Sequence, residues 1–126
     1  MPTLEPILAV DDSQPMRDMI VTMLVPRGYR IATAANGREA LQRLRAAVGP
    51  YIVLLDIVMP VLDGLGFCEE IQRDERLRAA GHKLILMSST VRLSAPDIPV
   101  TAGKLAKPFT RQQLIAAVEA TRHWMP

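Results

Sequence analysis

Three apolar runs, each closing on a polar side chain, constrain this sequence more than any other feature. They are "PILAV" at 6–10, "YIVLLD" at 51–56 and "KLILMSS" at 83–89. The first runs into the adjacent carboxylates Asp11 and Asp12, the second ends in Asp56, and the third ends in Ser88 and Ser89. A short unbroken apolar run reads as a strand buried on both faces, which is what a central parallel strand requires. Helical patterns separate the runs. Ser13 and Pro15 mark a helix start, followed by Met16, Met19, Ile20, Met23 and Leu24 at helical spacing, with Gly28 as the stop. "YRIATA" at 29–34 alternates like a strand, and 36–49 places Ala40, Leu41, Leu44 and Val48 on one helical face. A helix follows around Phe67, Cys68 and Ile71 and is expected to run toward Ala80. "KLA" at 104–106 reads as a short strand, and 110–124 as an amphipathic helix capped by Thr110 with Leu114, Ile115 and Val118 inward. Strand–helix alternation throughout predicts an α/β fold with right-handed crossovers and a parallel sheet covered on both faces.

In such a sheet, function gathers beyond the carboxyl ends of the strands. Those ends are Asp11, Asp12, Asp56, Ser88 and Lys107, the last followed by Pro108. Clustered carboxylates repel one another and tend to take up a proton. A small hard cation resolves the repulsion. Mg²⁺ takes oxygen ligands and keeps several waters, so one or two carboxylates and a backbone carbonyl suffice. Lys107 and Ser88 then offer a charge and a hydrogen bond to further oxygens. The set is suited to a phosphoryl group in transfer, where positioning and charge neutralisation supply most of the catalysis. A carboxylate can itself be the nucleophile, and Asp56, central among the strand ends, is the candidate.

Composition narrows the alternatives. The chain has 126 residues, 49% hydrophobic and 22% charged, an ordinary globular mix for one core. A net charge of +2 is too small and too scattered for a nucleic-acid surface. The single cysteine, Cys68, excludes an intrachain disulfide. No window approaches a membrane span, and nothing resembles a signal peptide. The expectation is a cytoplasmic domain with no nucleic-acid or membrane partner.

Taken together, "AVDDS", "VLLDIVMPVLDG", "LMSS" and "AKPF" resemble the motif set of the response-regulator receiver domain of two-component signalling, of the chemotaxis-receiver type. The resemblance runs from Ile7 to about His123. It implies a doubly wound, flavodoxin-like sheet of five parallel strands, order 2-1-3-4-5, with five flanking helices. It also implies roles. Asp56 matches the phosphoacceptor and Asp12 the direct Mg²⁺ ligand. Asp11 matches the ligand acting partly through water, and Val58 supplies a backbone carbonyl to the metal. Ser88 matches the switch hydroxyl, Ser89 the small residue beside it, and Lys107 the lysine before a proline that is often cis. Met59, Pro60, Asp63 and Gly64 match the turn that shapes the acceptor loop. The implied donor is a phosphohistidine on a sensor histidine kinase or phosphotransfer protein. The implied output is a downstream protein bound at the face of the fourth helix, fifth strand and fifth helix, with the domain a monomer or weak dimer. Such a domain catalyses only its own phosphorylation and dephosphorylation. On this reading residues 1–126 form a single receiver domain with no output domain.

Plainer readings stand beside these. An acid pair caps and charge-stabilises a helix start, although one acid suffices. Asp56 could cap the turn after it, Ser88 alone is a satisfied strand-end hydroxyl, and Lys107 alone a solvated lysine. Asp63 and Gly64 read as turn chemistry. His82 and His123 lack partners at metal spacing and are expected at the surface. Cys68 and the stripe of Met16, Met19 and Met23 read as packing, and Trp124 as a cover for the last helix.

Two departures from the family pattern bear on signalling. Only 18 residues separate Ser88 from Lys107, and Pro96, Pro99 and Gly103 fall among them. The fourth helix is therefore expected to be short, distorted or absent. Three residues before the lysine, where receivers often carry an aromatic, stands Lys104. These changes keep open an alternative, a phosphorylation-independent interaction module of the same fold. A Mg²⁺ phosphatase would need a substrate cap for which this length leaves no room.

Overall fold

The computed structural model describes residues 4–58, 62–88 and 101–121. The strands are β1 (Ile7–Val10), β2 (Ile31–Ala34), β3 (Ile52–Asp56), β4 (Lys83–Ser88) and β5 (Thr101–Ala106). The α-helices are α1 (Gln14–Leu24), α2 (Gly37–Arg45), α3 (Gly64–Arg73), α4 (Glu75–Ala79) and α5 (Arg111–Ala120). All the strand pairings are parallel, in the order β2-β1-β3-β4-β5. This is the doubly wound order that the motif resemblance implied.

Each strand splits its side chains between two cores, because successive residues point to opposite faces. Leu8, Val10, Val53, Leu55, Leu84 and Leu86 pack with α2, α3 and α4. Ile7, Ala9, Ile52, Leu54, Ile85, Met87 and Leu105 pack with α1 and α5. Leu8, Leu54 and Leu84 are wholly buried, and each contributes about 2 kcal/mol through lost apolar exposure. Met16, Met19 and Met23 border the second core.

The helix signals act as expected where they are local. Ser13 caps α1, its side chain accepting from the Met16 amide. Asn36 caps α2 and Asp63 caps α3 in the same way. Thr110 and Gln113 form a reciprocal capping box at α5. A 3-10 turn, Val25–Arg27, extends α1 and ends at Gly28, whose φ of 90° suits glycine.

Four expectations are corrected. The Phe67 helix does not run unbroken toward Ala80. Asp74 leaves the helical region at ψ 109°, and its carboxylate accepts from the Arg76 and Leu77 amides to start α4. A cap-forming side chain competes with helix continuation here. Val48 does not share the buried α2 face. The helix stops at Arg45, and Val48 stands fully exposed. The fifth strand begins at Thr101, three residues before "KLA", and a register irregularity at Leu84/Ile85 admits Gly103 into the ladder. His82 is buried rather than at the surface, 5% exposed, with Nδ1 accepting the Tyr51 amide at 2.9 Å. The stretch expected to hold the distorted fourth helix, with Pro96 and Pro99, lies outside the described residues. So do Met59, Pro60, Ser89, His123 and Trp124.

Candidate functional site

Strand register builds the site. Val10 of β1 pairs with Leu55 of β3, so Asp11 lies level with Asp56. Asp56 pairs with Met87 of β4, one residue before Ser88. Ser88 pairs with Ala106 of β5, one residue before Lys107. Four strand ends thus deliver their polar residues to one edge of the sheet.

There, carboxylate oxygens of Asp11, Asp12 and Asp56 lie within 4.8 Å of one another, close enough to share one metal ion. Asp11 is buried and Asp12 exposed, so the cluster has a closed floor and an open side. The Lys107 ammonium sits 2.7 Å from Asp11 Oδ2 and 3.6 Å from Asp56 Oδ2. The Lys107 amide donates to the Ser88 carbonyl at 2.7 Å, continuing the ladder past the end of β5. The Lys107–Pro108 bond is cis.

Backbone groups fix the acids. The Ser13 amide donates to Asp11 Oδ1 at 2.9 Å, and Arg17 Nη1 donates to the Asp11 carbonyl at 2.6 Å. The Val58 amide donates to Asp56 Oδ1 at 3.2 Å, and the Ile57 amide to the Met87 carbonyl. Burial pushes the Asp56 carboxyl above its ordinary value. The Lys107 charge pulls it back, Asp11 and Asp12 push it up, and the Val58 amide opposes them. A buried acid among acids carries unfavourable charge that a cation relieves.

Gly64 explains the turn beyond its flexibility. A β-carbon there would meet Ile57 Cα at 2.8 Å and the Asp56 carbonyl at 3.1 Å. Its amide donates to the Ile57 carbonyl at 2.9 Å. The start of α3 therefore rests directly on the end of β3.

The structure brings together Asp11, Asp12, Asp56 and Lys107, with Val58 and Ser88 at the same edge. It leaves out His82 and also Cys68, which points from the buried face of α3 into the core, where burial pushes its thiol up to about 12. Arg17 was not singled out from the sequence. Its role depends on α1 folding back over the Asp11 carbonyl, and no local pattern signals that.

The chain is similar to proteins of known type. The family model for the response regulator receiver domain matches residues 7–119. A "probable transcriptional regulator ycf27" from Guillardia theta is 37% identical over 123 residues, covering 94% of this chain and 45% of that protein. "Response regulator MprA" from Mycolicibacterium vanbaalenii is 37% identical over 119 residues, covering 90% of this chain and 48% of that protein. The chain thus spans about half the length of these curated relatives. Among solved structures, the response regulator TrrA from Thermotoga maritima, in complex with Mg²⁺–BeF, aligns with a TM-score of 0.80. It is 30% identical, and the alignment covers 94% of this chain and 99% of that one. Vibrio cholerae chemotaxis protein CheY4 aligns with the same TM-score at 27% identity, covering 94% and 99%. Five parallel strands in this order, the acidic cluster at their carboxyl ends and a match over nearly the whole chain agree: the protein belongs to the response regulator receiver domain family.

Proposed function

We infer that Asp56 accepts a phosphoryl group from a phosphohistidine on a sensor histidine kinase or phosphotransfer protein. The observation that carries this is the juxtaposition of three carboxylates within 4.8 Å and the Lys107 ammonium between Asp11 and Asp56. The donor set, all hard oxygens with an open side, fits Mg²⁺. Asp11, Asp12, Asp56 and the Val58 carbonyl would hold it. When bound, Mg²⁺ neutralises charge on the phosphoryl oxygens and favours the ionised form of Asp56.

The chain's own residues do the rest. An Asp56 carboxylate oxygen attacks phosphorus as the phosphorus–nitrogen bond to the donor imidazole breaks, giving an acyl phosphate and a free histidine. The Asp56 oxygen bonded to the Val58 amide is held in place, so the carboxylate is oriented before attack. Lys107 offers its charge to an equatorial oxygen, and Ser88 a hydroxyl to another. Hydrolysis of the acyl phosphate returns the domain to its starting state.

The output is a protein partner at the β5–α5 face. The relatives named as transcriptional regulators support a role upstream of gene expression. Lys104, half-buried in β5 and in register with Leu86, stands on the opposite side of the strand from Leu105, which packs toward α5. Transmission there would proceed without the usual aromatic.

The test is direct. The protein is incubated with Mg²⁺ and acetyl phosphate, and intact mass is measured for wild type and Asp56→Asn. A phosphoryl adduct on wild type that the variant lacks is expected. An unmodified wild type would overturn the reading in favour of a phosphate-independent module.

A further inference from the structure

Leu62, at the far end of the acceptor loop, is seated between two glycines from different helices. A β-carbon on Gly37, the first residue of α2, would lie 2.8 Å from the Leu62 carbonyl oxygen, 3.0 Å from its Cβ and 3.1 Å from its Cδ2. One on Gly66, in the first turn of α3, would lie 2.9 Å from Leu62 Cδ1. Neither glycine has positive φ. The backbone does not demand glycine at either place, and glycine is a poor helix former. Space accounts for it: a β-carbon on Gly37 would press on the Leu62 backbone carbonyl, and one on Gly66 would press on the Leu62 side-chain tip and on Asp63 Oδ1 at 3.1 Å.

We propose that Leu62 is a positioning residue for phosphoryl transfer, latching the turn that starts α3 onto α2. The connection is short. Leu62 adjoins Asp63, whose Oδ1 accepts the Gly66 amide at 2.7 Å. The next residue, Gly64, donates its amide to the Ile57 carbonyl and packs on Ile57 Cα and the Asp56 carbonyl. Ile57 stands between the acceptor and Val58. The other end of the latch is firm. α2 is capped by Asn36 and buries Ala40, Leu41 and Leu44. Leu62 itself packs against the core beneath it. A leucine that does not touch the reacting atoms thereby sets where Asp56 and Val58 stand. This inference rests on the reading of Asp56 as the acceptor.

Hydrogen exchange across 57–64 and the rate of adduct formation from acetyl phosphate are compared in wild type, Leu62→Ala, Leu62→Met and Gly37→Ala. In Leu62→Ala, the Val58 and Gly64 amides should exchange roughly tenfold faster while β1, β3 and β4 keep wild-type protection. Adduct formation should slow by about tenfold, since small misplacements of reacting groups are amplified in rate. Leu62→Met should restore both, and Gly37→Ala, which presses on the Leu62 carbonyl with Leu62 intact, should reproduce the loss. Wild-type exchange at 57–64 in Leu62→Ala, or loosening spread evenly over the strands, overturns the latch. A wild type that takes no phosphoryl group instead overturns the acceptor reading, and the exchange comparison still decides the latch.

Discussion

Lys107 sits closer to Asp11 than to Asp56, 2.7 Å against 3.6 Å. The ammonium pairs with the most buried acid of the cluster and stands within ion-pair reach of Asp56. It therefore ties together two of the three carboxylates at the strand ends.

Removing that charge has a stability consequence as well as a kinetic one. The Asp11 side chain is 1% exposed and that of Lys107 13%. Deleting one partner of a buried pair costs about 3 kcal/mol. Lys107→Ala should lose about that much at neutral pH without added Mg²⁺, read by urea denaturation.

A metal that binds only the folded cluster stabilises the fold. At a Mg²⁺ concentration a hundred times its Kd, the gain is about 2.7 kcal/mol. Thermal unfolding should shift upward with Mg²⁺ and return on chelation. Asp12→Asn, which removes the exposed carboxylate and leaves the Asp11–Lys107 pair, should abolish most of the shift.

Gly64→Ala would place a methyl group against backbone on both sides, at Ile57 Cα and the Asp56 carbonyl. Backbone does not yield as a side-chain tip does. A loss of about 1–3 kcal/mol is expected from overpacking. Adduct formation on Asp56 should fall even at temperatures where the variant is fully folded by circular dichroism.

His82 makes stability pH-dependent away from the site. Burial lowers its pKa below the ordinary 6.5, and a ring that accepts the Tyr51 amide at Nδ1 has no proton there. Below pH 6.5 the unfolded chain binds the proton more readily than the folded one. Stability is therefore complete above that pH and falls as pH drops through 6.5 toward the folded value. His82→Asn, which can present an acceptor oxygen to Tyr51, should flatten this part of the stability–pH curve. His82→Phe should lose about 1 kcal/mol at pH 8, because the part-buried Tyr51 amide is left unpaired.

The strands that carry the acids were legible because they announce themselves locally. Apolar runs ending in Asp11, Asp56 and Ser88 state both burial and the polarity of the strand ends. In a parallel sheet those ends must share an edge. Ser13, Asp63 and Thr110 were legible for the same reason, since a cap acts over three residues. What escaped depends on residues that meet across the fold. Asp74 is an ordinary helix-flanking acid in sequence, and only its bonds to Arg76 and Leu77 turn it into a break. His82 carries no mark of burial until β3 and β4 align and bring Tyr51 to its ring. The preference of Lys107 for Asp11 is set by a register spanning β1 and the end of β5. The chemistry of the edge was written in residue types and periodicity. Which atoms touch there, and at what distance, was decided by packing between segments far apart in the chain, which no local pattern encodes.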